Sequence, residues 1–202
     1  MDIKTRILME TGELFGQNGI KNVTMDYIAS RMGISKRTIY ENFKDKDALV
    51  KQVIEEGAKI HKASCLELIE KSENVFEAIF NIGKHNHQTF GKIHPLFFED
   101  LKKYHFNIYS DVIEKGDFRD TGITYILLER GKKEGLFNDN INIDAVNMFL
   151  HEIFRMVHKE EFLKFGREVL YESVFLPYWM GISTAKGRKI IEKNMENIKK
   201  SI

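Results

Sequence analysis

Helical periodicity runs through almost the entire chain, and no other feature constrains the fold as much. Ile3, Ile7, Leu8, Thr11, Leu14 and Phe15 fall on one face at the three-and-four spacing of an amphipathic α-helix. The pattern stops near Gly19, a residue suited to the left-handed conformation that closes a helix. Two short segments, 24–32 and 35–43, follow with Gly33 between them. A long helix opens with Asp45 as N-cap and runs through Leu49, Val53, Ile60 and Leu66 to about Lys71. Further helices are predicted over 74–90, 95–104, 106–116, 119–134, 142–159, 161–181 and 184–199, with Pro95 at a first helical position and Gly135 as a stop. Nowhere does an alternating run of five or more β-branched residues stand between turn signals, so no sheet is expected.

Composition supports an all-α reading. Only two of the 202 residues are proline and 30% are charged, which suits well-covered helices. A hydrophobic fraction of 43% supplies a core and excludes a disordered chain. The net charge of +1 excludes a uniformly basic nucleic-acid coat while permitting a local basic patch. Cys65 is the one cysteine, so no internal disulfide can form, and it reads as a small buried apolar side chain. The opening Met1-Asp2-Ile3-Lys4 does not resemble a basic segment followed by an apolar one. The uncharged stretch from Ser173 to Ala185 carries Pro177 and Gly181 and falls short of the roughly 20 residues a bilayer span needs. A cytoplasmic protein with no membrane partner is expected.

The character of the chain changes near residue 60. Beyond it lie 13 of the 15 Phe, the single Trp and all 7 His. Before it lie clustered basic and hydroxyl residues, and these hold the most informative segment, 24–43. Thr24 can cap the first short helix, whose inner face carries Ile28, Ala29 and Met32. Ala29 is small where two helices cross, and Gly33 supplies a positive-φ turn. Ser35 caps the second helix, and Ile39 and Phe43 at i and i+4 anchor its inner side. Lys36, Arg37, Thr38 and Tyr40 then face outward at its start. A helix entering a major groove needs this arrangement, since its first residues meet base edges while its back holds to the scaffold. An ordinary helical hairpin with a solvated charged face would share much of this pattern.

Phe15 with Gly19, then Thr24, Ile28-Ala29, Gly33-Ile34-Ser35, Thr38-Ile39-Tyr40, Phe43, Lys46 and Leu49, together resemble the signature of tetracycline-repressor (TetR) family regulators. The likeness covers about 55 residues. A second stretch, Gly131-Lys132-Lys133-Glu134-Gly135-Leu136-Phe137, resembles the helix end that precedes the dimerisation helices of that family. The resemblance implies an N-terminal three-helix helix-turn-helix DNA-binding domain over 1–61 and a C-terminal helical ligand-binding and dimerisation domain over 62–202. It also implies a homodimer in which 142–159 and 161–181 pack against their copies as a four-helix bundle. Val146, Phe149, Leu150, Ile153, Phe154 and Val157 form a wide apolar stripe that suits a core or an interface equally.

Carried over by position, the DNA contacts are Thr24, Tyr40 and Lys46 on phosphates and Lys36, Arg37 and Thr38 on bases, with Ser35 at the helix start. Asn42 stands where the family often has His, and an amide can still reach a phosphate. Residues 21–46 are modestly basic, with Lys21, Arg31, Lys36, Arg37, Lys44 and Lys46 set against Asp26, Glu41 and Asp45.

Enzyme chemistry finds no matching motif. His85 and His87, two apart, point to opposite sides of a helix. His151-Glu152 begins like a zinc-protease helix, yet residue 155 is Arg where a second ligand is required. No phosphate-binding glycine loop and no nucleophile elbow occurs. No cofactor is expected. The resemblance implies an effector pocket, and because helical ligand sites are mostly apolar, Phe76, Phe80, Phe90, Phe98, Phe106, Tyr109 and Tyr125 are expected to include its lining. The expected function is a ligand-responsive DNA-binding regulator, most simply a repressor that binds a palindromic double-stranded operator and is released by a small apolar or aromatic effector. A helical protein-interaction module and a constitutive DNA-binding protein without an inducer are the alternatives.

Overall fold

The computed structural model describes residues 2–114, 121–157, 162 and 164–199. Among these every named element is a helix; extended pairing is limited to an isolated antiparallel bridge between Phe137 and Ser183. The chain divides into two compact units, one comprising 1–63 and 88–119 and the other 64–87 and 120–202. The N-terminal segment thus shares its unit with helices from the middle of the chain.

In the first unit, α1 (Ile3–Asn18) is opened by Asp2, whose carboxylate accepts the Thr5 N–H, and closed at Gly19 with φ 78°. Thr24 caps α2 (Met25–Met32), and Gly33 ends it in the left-handed region at φ 64°, ψ 33°. The Ile34 N–H then returns to the Ala29 carbonyl at 3.1 Å, which turns the chain sharply into the next helix. Ser35 caps α3 (Lys36–Asn42) by accepting the Thr38 N–H. The carboxylate of Asp45 accepts the Ala48 N–H at 2.8 Å and so opens α4 (Lys46–Lys71), which continues into the second unit. From the second unit α5 (Val75–Phe90) runs back into the first, where α6 (Leu96–Tyr104) and α7 (Phe106–Ile108) follow. The core of this unit is largely aliphatic: Ile7, Leu14, Ile20, Val23, Ile28, Ile39, Leu49 and Val50 close around Phe15 and Phe43, and Phe97 and Leu101 of α6 complete it.

The second unit contains α8 (Thr121–Lys133), α9 (Ile143–Val157), α10 (Arg167–Leu170), α11 (Leu176–Ile182) and α12 (Ala185–Lys199). Its core is more aromatic, with the Phe137 ring edge-on to Phe76 at 5.4 Å and stacked on Trp179 at 5.9 Å. Cys65 is buried in the same core. The Gly131-to-Phe137 stretch earns its glycines here. A Cβ on Gly131 would stand 2.2 Å from the Phe137 ring, and Gly135 holds φ 67° so that the Leu136 N–H can reach the Gly131 carbonyl at 2.8 Å. Arg130 and Glu134 join three elements: Arg130 donates to the carbonyls of Ile69 and Ser72, while Glu134 accepts the Val75 N–H at 2.8 Å. One pair therefore caps the end of α4 and the start of α5.

Several expected elements differ in detail. The stretch over 161–181 is not one helix: residues 164–166 are non-helical, and wider π-type turns at Tyr171–Phe175 lie between α10 and α11. Pro177 near the start of α11 accounts for the π-type turns, since it offers no N–H and its ring crowds the preceding turn. A second π stretch, Tyr109–Glu114, continues α7. Pro95 occupies the position just before α6 instead of its first residue. The expected termini at 116, 119, 159 and 161 lie outside the described residues.

Candidate nucleic-acid interface

The inner side of the α2–α3 pair is closed. Ile28, Ile39 and Phe43 are essentially inaccessible, and Arg6 donates to the Met32 carbonyl at 3.2 Å, tying α1 to the end of α2. The outer side carries Lys36, Arg37 and Tyr40, all exposed, as is Thr24 at the start of α2. Hydroxyl groups fix the two helix starts: Thr24 Oγ1 accepts the Tyr27 N–H at 3.1 Å, and Ser35 Oγ lies 2.9 Å from Thr38 Oγ1. Thr38 is half-buried, and its backbone N–H donates to Ser35 Oγ at 3.0 Å.

Both cationic residues expected to read bases hold carboxylates in the free protein. Lys36 Nζ is 2.8 Å from Asp26 of α2, which raises the lysine pKa chiefly through that hydrogen bond. Arg37 Nε donates to Glu41 one turn on at 2.9 Å. These partners are solvent-exposed, so the pairs are weak and exchangeable. Asp26 and Glu41 thus pair with the two cationic groups of the α3 face. The Arg37–Glu41 spacing signals its pair, whereas Asp26 and Lys36 are ten residues apart and meet only through the fold.

Lys46, the first residue of α4, is half-buried, with its ammonium donating to the Ile20 carbonyl at 2.6 Å and lying 6.0 Å from the centre of the Phe15 ring. Burial lowers its pKa, and Asp100 partly offsets that effect. The Asn42 amide turns back on its own helix and donates to the Thr38 carbonyl at 2.8 Å.

Of the aromatic set, Phe76, Phe80 and Tyr125 belong to the second unit, while Phe90, Phe98, Phe106 and Tyr109 belong to the first. Phe76 is core and Phe106 is exposed. A cavity of about 410 Å³ in the first unit has Phe106 as its one member of this set, and its other lining includes Asp47, Lys51, Lys103 and His105. On α9, Leu150 and Ile153 are buried, Val146 is half-buried, and Phe149 and Phe154 are exposed. The Val157 side chain lies outside the described residues. Among the described residues no group of three His, Cys, Asp or Glu is placed to hold a metal, and no helix is long and apolar enough to cross a membrane.

Two capped helices joined by a left-handed glycine, with an apolar back and a hydroxyl and cationic front, define a helix-turn-helix protein of the DNA-binding class. Residues 7–53 match the family model of bacterial regulatory proteins, tetR family. The Bacillus subtilis HTH-type transcriptional regulator YvaF is 31% identical over 163 residues, covering 79% of this chain and 83% of the relative. YhgD of the same organism is 30% identical over 142 residues, covering 67% and 72%. The reduced form of Escherichia coli NemR shares the fold with a TM-score of 0.69 at 15% identity, covering 91% of this chain and 98% of that one. The chain belongs to the TetR family of transcriptional regulators.

Proposed function

We propose that the protein is a repressor that binds a palindromic operator as a homodimer and is released by a small apolar or aromatic effector, acting in the cytoplasm. The observation that carries the DNA-binding part is the exposed Lys36, Arg37 and Tyr40 face over the closed backing of Ile39 and Phe43. In this reading Lys36, Arg37 and Thr38 meet base edges, and Thr24, Tyr40 and Lys46 meet phosphates, with Ser35 holding the start of α3. Asn42, turned inward, would assist only after giving up its bond to Thr38. DNA takes the place of Asp26 and Glu41, so base reading exchanges an internal ion pair for an external one. Lys46 likewise leaves a carbonyl for a phosphate. The dimer rests on the exposed aromatic rings of α9, which pair with rings further along the chain: Phe149 with Tyr178 and Phe154 with Phe175, each at 5.3 Å.

Domain limits of 1–61 and 62–202 remain the proposed division of labour, with DNA reading in the first and dimerisation and effector binding in the second. An effector that favours one inclination of α4, a single helix of 26 residues, would move its DNA end, because about 1.5 Å per residue makes it a long lever. A hundredfold release requires about 2.7 kcal/mol of coupling, and operator DNA must weaken effector binding by the same factor. Selection of genomic fragments retained by the protein, followed by gel retardation of the recovered fragment, tests the reading. Retention of a two-fold symmetric site, lost as salt is raised, supports it; a folded protein that retards no fragment would leave the interaction-module alternative.

A further inference from the structure

The end of α6 adjoins the residues assigned to phosphates. Asp100, buried on α6, accepts the Lys21 backbone N–H at 2.7 Å. The α1–α2 connection approaches α6 so closely that a Cβ on Gly19 would stand 2.9 Å from Asp100 Oδ2 and 3.0 Å from Leu96 Cβ. The carbonyl of the same Ile20–Lys21 peptide, that of Ile20, accepts from Lys46 Nζ at 2.6 Å. Lys46, the Ile20–Lys21 peptide and α6 therefore form one connected piece.

One turn beyond Asp100 stands Tyr104, 45% exposed. Lys21 Nζ is 5.1 Å from its ring centre and Lys103 Nζ 5.5 Å. A hydrogen bond from Lys21 is the leading cause that lowers the Tyr104 pKa, and Lys103 acts in the same direction through its charge and a hydrogen bond. Two ammonium groups thus flank one phenol ring, and a phenol hydroxyl can donate as well as accept. Asp100 is the carboxylate that acts on Lys21, and it is buried and turned to a backbone N–H. Exposed cations on either side of a tyrosine that carries a hydroxyl donor supply the kinds of group that hold a phosphate oxygen.

We propose that Lys21, Lys103 and Tyr104 form a second phosphate clamp, supplied by the α1–α2 connection and α6, that grips the DNA backbone beside the groove entered by α3. The clamp rests on the DNA-binding reading. A DNA phosphate is favoured over a free one because the cluster is joined to Lys46 through a single peptide and lies in the same unit as α3.

The test uses the full chain and a random-sequence duplex of about 40 base pairs, because backbone contacts are independent of the operator. Affinity is measured between about 50 and 200 mM salt. Lys21→Gln and Lys103→Gln are each expected to flatten the plot of log K against log salt by about 0.9 per protomer, with Lys103→Arg retaining the wild-type slope. Tyr104→Phe lowers affinity at every salt concentration and leaves the slope unchanged, since a neutral hydroxyl displaces no counterion. Wild-type slopes in both glutamine variants overturn the clamp while the DNA-binding reading stands. Failure of the wild-type protein to bind the duplex at the lowest salt overturns both. Inorganic phosphate that shifts the tyrosine ring NMR signal absent from Tyr104→Phe, combined with unchanged DNA slopes, marks a free-anion site and also overturns the clamp. Thermal melting accompanies each variant, and if one lysine variant fails to fold the other decides.

Discussion

Helices α3 and α9 each bury one side and expose the other, and their exposed sides have opposite chemistry. On α3, Ile39 is buried beneath exposed Lys36, Arg37 and Tyr40. On α9, Leu150 and Ile153 are buried beneath Met148, Phe149 and Phe154, which are 71%, 54% and 41% exposed. The α3 surface is at ease in water, and its Lys36 and Arg37 charges are balanced by Asp26 and Glu41. Water cannot satisfy the α9 surface in that way. Every Å² of apolar area left exposed forgoes about 25 cal/mol, and another apolar surface is what recovers it. The contrast teaches that two amphipathic helices with alike buried sides can offer opposite surfaces, and under the proposed function the first suits nucleic acid and the second a protein partner.

The largest effect should come from Phe149→Arg. Placing an unpaired charge in an apolar seam costs about 3–5 kcal/mol, so sedimentation should fall from about twice 23.7 kDa to the monomer value. A wild-type monomer at micromolar concentration would remove the protein-partner side of the comparison. Gly131→Ala tests the packing beneath α9, because its Cβ would meet the Phe137 ring at 2.2 Å. A loss of about 1–3 kcal/mol is expected in denaturant melts. Unchanged stability would mean that Phe137 moves aside freely.

Arg37→Ala should cost about 1–3 kcal/mol per half-site and relax selection at one base position. An unchanged selected motif would show that Arg37 reads no base. Lys46→Ala is expected to weaken all sequences alike and flatten the salt slope by about one per half-site. A sequence-dependent loss would reassign it to a base. Smallest of all is Glu41→Gln, which frees Arg37 from its exposed partner and removes a repulsive charge. It should tighten DNA binding by about 0.2–1 kcal/mol, and weaker binding would show that Glu41 positions Arg37 instead of competing for it.

Much of the α2–α3 pair was legible because its rules act over a few residues. Thr24, Ser35 and Asp45 cap the helices they immediately precede, and Gly33 supplies the left-handed turn between α2 and α3. Less of the second half is legible in this way. Periodicity over 161–181 suggested a single helix, although Pro177 already marked the place where the regular ladder fails. Seven aromatic residues looked alike as pocket lining, yet they fall in two separate units, with Phe76 buried in a core and Phe106 in solvent.

The sequence by itself determined the all-helical class, the helix starts and the outward Lys36-Arg37 pair, because capping, φ preference and i, i+4 spacing are set by neighbours along the chain. Tertiary structure decided what each surface meets. It brought Asp26 to Lys36 across ten residues, and Arg130 to the carbonyls of Ile69 and Ser72 across about sixty. It divided the α9 stripe into buried Leu150 and exposed Phe149, and it set Tyr104 beside Lys21. Burial and ion pairing depend on distance in space, and residues far apart in sequence acquire that distance only when the helices pack.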